Sequence, residues 1–178
     1  VALPVGAVRN GEVFDVDAVA AAIKHLWTSA GFSSKNVVLG VANQKVVVRQ
    51  VDLPMMPLNE LRSSLKYQVQ DYIPMPVEEA VLDFHVLEEV VDERGGRMLR
   101  VLLVAAVRGM VDQALLAAKK AGLNVVAVDL TSFAVLRALS ASDGFGQDGA
   151  KWIASIGGGW RQKLGEFAAF ADLPHQEE

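Results

Sequence analysis

Apolar residues first recur at Val16, Val19, Ala20, Ile23, Leu26, Trp27 and Ala30. This three-and-four spacing marks one face of a helix, with Asp15 as N-cap and Gly31 as stop. Two β-branched runs follow at 37–41 and 46–51, around Ala42-Asn43-Gln44-Lys45. They read as strands joined by a tight connection, a hairpin being one arrangement. Leu53-Pro54 closes the second run, because proline cannot donate to a ladder. Leu58, Leu61, Leu65, Val69 and Tyr72 return to helical spacing and predict a helix over about 57–71, ended by Pro74 and Pro76. Runs at 81–91 and 98–107 flank Asp92-Glu93-Arg94-Gly95-Gly96, a polar turn with two glycines able to take positive φ, and predict a hairpin. Met110, Val111, Ala114, Leu115, Ala118 and Ala121 define a third helix, with Asp112 in its first turn, Lys119 and Lys120 in its last, and Gly122 as C-cap. A strand at 125–128 and a short helix after Thr131, marked by Phe133, Leu136 and Leu139, complete the periodic part.

From Leu58 to Val128 the order is helix, strand, strand, helix, strand. That α/β (α+β) pattern predicts a mainly antiparallel sheet of 81–91, 98–107 and one further strand, with both helices on one face. Residues 142–149, rich in Ser, Asp and Gly, read as a linker. A short apolar run at 152–156, Gly157-Gly158-Gly159 and an aperiodic tail follow.

Composition adds the need for partners. The 178 residues suffice for one domain or two small subdomains. With 52% hydrophobic residues and a mean hydropathy of +0.28, the chain carries more apolar surface than it can readily bury alone. Net charge is -4 and Lys and Arg are scattered singly, which gives no electrostatic footprint for nucleic acid or anionic lipid. The absence of cysteine removes disulfides, thiol nucleophiles and cysteine zinc sites, and fits a reducing compartment such as the cytoplasm. Apolar runs such as 101–107 fall well short of the roughly 20 residues a membrane helix needs, so no span is expected. No signal peptide opens the chain; it begins at Val1 inside a Leu-Pro phrase without an initiator methionine, and an upstream segment is expected.

Three phrases carry a family resemblance. They are Val46-Val47-Val48-Arg49-Gln50-Val51-Asp52-Leu53-Pro54; Tyr72-Ile73-Pro74-Met75-Pro76 with Leu82-Asp83-Phe84; and Ala121-Gly122-Leu123 through Val128-Asp129-Leu130 to Phe133-Ala134 and Arg137-Ala138. In order and spacing the chain resembles, over about 6–139, the actin-like type IV pilus assembly family PilM, related to the cell-division protein FtsA and the actin, sugar-kinase and Hsp70 superfamily. The resemblance implies an actin-like ATPase fold fragment with an inserted ferredoxin-like αββαβ subdomain 1C. It implies part of subdomain 1A at 1–45, subdomain 1C at 46–122, a return to 1A at 123–142, and at 143–178 a linker, a remnant strand and a non-native tail. The family's opening phosphate-loop strand is expected upstream of Val1. Gly157, Gly158 and Gly159 fall where its second phosphate loop is expected, with Ser155 in place of the usual aspartate. ATP and Mg are therefore implied for the full-length family, and neither ATP hydrolysis nor a bound cofactor is expected of this chain.

Other candidates stay weak. A triple glycine at the end of a strand is as well explained by a flexible segment as by a phosphate cradle. His25, His85 and His175 share no metal-ligand spacing. Asp83 lies in an apolar strand, where alternation turns it outward and a binding surface is the sharper reading. Ser63, His85 and Asp83 are close in sequence, but no nucleophile elbow surrounds any serine. No catalytic or metal residue is assigned. The implied role is that of a cytoplasmic scaffold at the inner membrane. It would bind the N-terminal cytoplasmic segment of a PilN-type inner-membrane protein, join the pilus platform and couple it to the motor. The rival is a truncated nucleotide-dependent enzyme of the sugar-kinase superfamily. A free-standing nucleic-acid module would place basic and aromatic residues on the central strands, which Val101-Leu102-Leu103-Val104-Ala105-Ala106 do not supply. Unpaired strand edges at 37–41 or 125–128 make a homo-oligomer the expected state.

Overall fold

A computed structural model describes residues 1–140. They divide into two compact units, one of 1–36 and 43–125, the other of 37–42 and the described residues from 126 onward. The mixed α/β class read from periodicity is present.

The first unit opens with a short ribbon, β1 (Val8–Arg9) paired antiparallel to β2 (Glu12–Val13). Helix α1 (Val16–Ala30) begins where the Asp15 carboxylate accepts the Ala18 N–H at 2.9 Å, the side-chain cap that the sequence implies. It ends in a left-handed residue, Gly31, with Phe32 N–H donating back to Trp27 C=O and the two rings 5.1 Å apart. That is a Schellman closure with its hydrophobic contact.

The sheet of this unit has the order β4-β6-β5, all antiparallel, from β4 (Val46–Pro54), β5 (Ala80–Val91) and β6 (Arg97–Val107). Helix α2 (Leu58–Gln68) covers one face. Leu61 and Leu65 of α2, with Val69 and Ile73 beyond it, share a core with Val51, Leu53, Phe84, Leu99, Val101 and Leu103. The β5–β6 turn is held by Asp92, whose carboxylate accepts the Arg94 and Gly96 N–H groups. Of its two glycines only Gly95 takes positive φ.

Helix α3 (Arg108–Lys120) departs from expectation in two ways. It starts at Arg108, so Asp112 lies beyond its first turn. It packs on α1, where Ala117 joins Ala7 and Val19, and Lys120 Nζ meets Asp17 Oδ1 at 2.7 Å. The expected pair of helices on one sheet face is therefore one helix, because the small Ala117 of α3 lets it seat against Val16, Val19 and Ile23 of α1. Its end is as expected: Gly122 and Leu123 N–H groups donate to Lys119 and Ala118 carbonyls.

In the second unit, β3 (Asn36–Val41) forms a two-stranded sheet with β7 (Asn124–Leu130), and α4 (Thr131–Ser140) follows. The hairpin reading of 37–51 is thus overturned, since β3 pairs with β7 and β4 with β6. The third strand of the main sheet is β4, ahead of α2, and the last strand of the αββαβ order lies in the other sheet.

Leu103 is fully buried at the sheet centre. Leu103→Ala should cost about 2–5 kcal/mol, whereas Tyr67→Ala on the exposed side of α2 (Tyr67 is 73% exposed) should change stability by less than about 0.5 kcal/mol. Urea denaturation of the two variants tests the contrast.

Candidate functional site

Strand alternation decides what the face opposite α2 displays. Val51, Leu53, Leu99, Val101 and Leu103 point to α2, so the intervening residues point away. The register then builds cross-strand rows on that second face. Val46, Ala106 and Val81 form one row; Val48, Val104 and Asp83 the next; Gln50, Leu102 and His85 a third. The last row is Asp52, Arg100 and Glu88. The face thus grades from apolar to charged along the strands. Leu102 and Ala106 are buried, the valines and His85 half-buried, and Gln50 and Asp83 exposed.

Arg100 organises the charged end. Its Nε and Nη2 reach the two Asp52 oxygens at 2.9 and 3.0 Å, and its Nη1 reaches Glu88 Oε1 at 2.9 Å. Glu88 stands opposite Arg100 because a register shift between Val86 and Glu88 inserts Leu87 and reverses the alternation of β5. The Arg100 hydrogen bond holds the Asp52 carboxyl below its ordinary range, against the opposing effect of burial and helped by the charge of the guanidinium. Its hydrogen bonds to the Asp52 and Glu88 carboxylates in turn raise Arg100 further above its already high value. The side chains are 32% exposed at Arg100, 40% at Asp52 and 57% at Glu88, so the row orients the surface more than it stabilises the fold. Arg100 is basic on a central strand, yet the two carboxylates take three of its five N–H donors and balance its charge, which argues against a phosphate contact there.

The sequence candidates fall elsewhere. Gly157, Gly158, Gly159, Ser155, His175 and the tail 161–178 lie outside the described residues. Ser63 is on α2 and donates to the Glu60 carbonyl at 2.9 Å, across the sheet from His85. Asp83 accepts its neighbour's Phe84 N–H at 2.9 Å and lies 3.5 Å from Arg62. The three therefore build no nucleophilic relay. His25 is exposed on α1. Among the described residues no group of three His, Asp or Glu could hold a metal ion. An open groove lined by Lys35, Leu115, Lys119, Leu123 and Val125, with Gly122 and Asn124, brings no carboxylate or imidazole with it. Taken alone, the described residues bring no set of carboxylates that fits Mg-ATP. Sequence reading missed the Asp52-Arg100-Glu88 row; its one signal was an arginine interrupting the apolar run of β6. No helix among the described residues is long and apolar enough to cross a membrane.

The Asp52 pairing has a signed consequence with pH. Its folded pKa is depressed, so its contribution is complete above the ordinary carboxylate value of about 3.9 and is lost as pH falls through the lower folded value. Asp52→Asn should therefore lower the urea midpoint at pH 7, and the gap from the parent should narrow at pH 3. An equal gap at both pH values would show that the contact is not ionic.

Comparison with known proteins gives the family. The family model described as "Type IV pilus assembly protein PilM" matches residues 1–155. A chain of a "PilM-PilN type IV pilus biogenesis complex" is similar at 33% identity and a TM-score of 0.67, over 77% of this chain and 41% of that one. The chain thus spans less than half the length of that relative. The cytoplasmic domain of EpsL, an inner membrane component of the type II secretion system of Vibrio cholerae, aligns at 20% identity and a TM-score of 0.46, over 70% of this chain and 46% of that one. With the family model covering most of its length, this chain belongs to the type IV pilus assembly protein PilM family.

Proposed function

We propose that the chain is part of a cytoplasmic scaffold of type IV pilus biogenesis. It lies at the cytoplasmic face of the inner membrane, binds the N-terminal cytoplasmic segment of a PilN-type inner-membrane protein, and couples it through the pilus platform to the motor. The observation that carries this reading is the likeness to a chain of a PilM-PilN complex at 33% identity. The graded face of the β4-β6-β5 sheet supports it physically, since apolar rows beside a charged row suit a polypeptide partner better than a small reactant.

The subdomain division follows the same reading. Residues 46–122 are proposed as subdomain 1C, and 1–45 with 123–142 as subdomain 1A. In support, β4, α2, β5 and β6 share one core within 46–107. ATP and Mg are proposed ligands of the full-length protein, with Gly157, Gly158 and Gly159 as a remnant phosphate loop. Nucleotide would there set the conformation of a scaffold, and catalysis is not the output.

Titration of the full-length protein with a peptide of the PilN N-terminal segment should give saturable binding in the micromolar range by calorimetry, with none for a scrambled peptide. Equal binding of both peptides, or of neither, would overturn the proposal. Phosphate release from Mg-ATP by this chain should stay at buffer background; sustained turnover would instead favour the nucleotide-dependent enzyme.

A further inference from the structure

The tip of the β1-β2 ribbon carries an Asn-Gly pair. Asn10 (φ 49°) and Gly11 (φ 78°) both lie in the left-handed region, between the paired residues Arg9 and Glu12. Positive φ at both central positions makes this a type I′ turn, for which Asn-Gly is a preferred pair. Both residues are exposed.

An asparagine followed by glycine has a reaction open to it. The Gly11 amide nitrogen can attack the Asn10 side-chain carbonyl, form an N–Cγ bond and expel the side-chain nitrogen as ammonia, which leaves a five-membered succinimide. Water then opens the ring at one carbonyl or the other and yields aspartate, or isoaspartate with an extra methylene in the backbone. Glycine permits the attack because it has no Cβ to crowd its nitrogen. Asn36, Asn43, Asn59 and Asn124 instead precede Val, Gln, Glu and Val. The ring closes only when the Gly11 nitrogen lies on the same side of the Asn10 Cα–C bond as Cβ. In a type I′ turn the first central residue has ψ of about +30°, which sets that nitrogen nearly opposite Cβ. The closed turn is therefore inert, and reaction requires the Asn10-Gly11 peptide group to rotate.

Two-residue strands are too short to hold this turn closed by themselves. The base of the ribbon is fixed at Ala7, whose carbonyl accepts the Phe14 and Asp15 N–H groups at 2.9 and 3.2 Å. The tip is fixed by the segment ahead of β4. Asn43 Nδ2 donates to the Asn10 carbonyl at 2.6 Å, and Lys45 Nζ reaches both Glu12 oxygens at 2.7 and 2.9 Å. Asn43 is itself oriented, since its Oδ1 accepts the Lys45 N–H at 2.8 Å. The peptide group that must rotate for the ring to close is the one whose carbonyl Asn43 holds.

We propose that Asn10-Gly11 is a self-modification site gated by Asn43 and Lys45. The amide persists while these two side chains hold the turn, and converts to aspartate and isoaspartate once they release it. The change places a new carboxylate beside Glu12, and in its isoaspartate form lengthens the turn so that the type I′ geometry cannot re-form. The ribbon thereby keeps a covalent record of its release.

The full chain, incubated at mildly alkaline pH, should convert its 10–24 tryptic peptide slowly from amide to acid; that peptide holds no other Asn or Gln. Mass spectrometry reads the conversion, and chromatography separates aspartate from isoaspartate. Asn43→Ala and Lys45→Ala, each shown to be folded by circular dichroism, should convert several-fold faster than the parent, and the parent unfolded in guanidinium chloride faster still. Equal rates in the folded and unfolded parent, folded variants no faster than the parent, or no conversion in the unfolded chain would overturn the proposal. Should Asn43→Ala fail to fold, Lys45→Ala decides.

Discussion

The central strand β6 carries hydrogen-bonding neighbours on both sides and buried side chains on both faces, and the arrangement of the larger unit depends on its register. Leu99, Val101, Leu103 and Ala105 meet α2. A slip of one residue would turn all of them away and drive Arg100 toward the core. An unpaired buried guanidinium costs far more than the slip could recover. Packing on one face and charge on the other therefore select the same register, and each makes the other's error expensive.

Once β6 is set, the chemistry of the exposed features follows from alternation. The outward row of Asp52, Arg100 and Glu88 needs β4 and β5 in register with β6, and it needs the extra residue Leu87 to bring Glu88 round. The bulge that completes this row also breaks the β5 edge, so one irregularity serves both surface charge and edge protection. The β4 strand on the opposite side stays regular.

The chain belongs to the PilM family, and its described residues carry a sheet face that grades from apolar to charged. Titratable groups are tied into pairs that fix geometry, as Arg100 does with two carboxylates and Lys120 with Asp17. None of these pairs leaves a base poised against a nucleophile.

Local signals sufficed for most of the elements. Asp15 as a cap, Gly31 and Gly122 as helix ends and the Asp92 turn depend on residues within a few positions of one another, where backbone sterics and short-range hydrogen bonds decide the outcome; α2, expected to run to about 71 and stop at Pro74, ends earlier, at Gln68. The PilM resemblance was likewise legible, because its phrases are short and ordered. What separated β3 from β4 was not local, since two β-branched runs around Ala42-Asn43-Gln44-Lys45 carry no record of which distant strand each will meet. The same holds for α3, whose alanine stripe could have packed on a sheet or on another helix until α1 supplied the matching surface. The Asp52-Arg100-Glu88 row joins residues from three strands through a bulge. Sequence alone determined the elements and their capping chemistry; tertiary structure decided their pairing and the cross-strand rows, because those depend on long-range register, which no local spacing encodes.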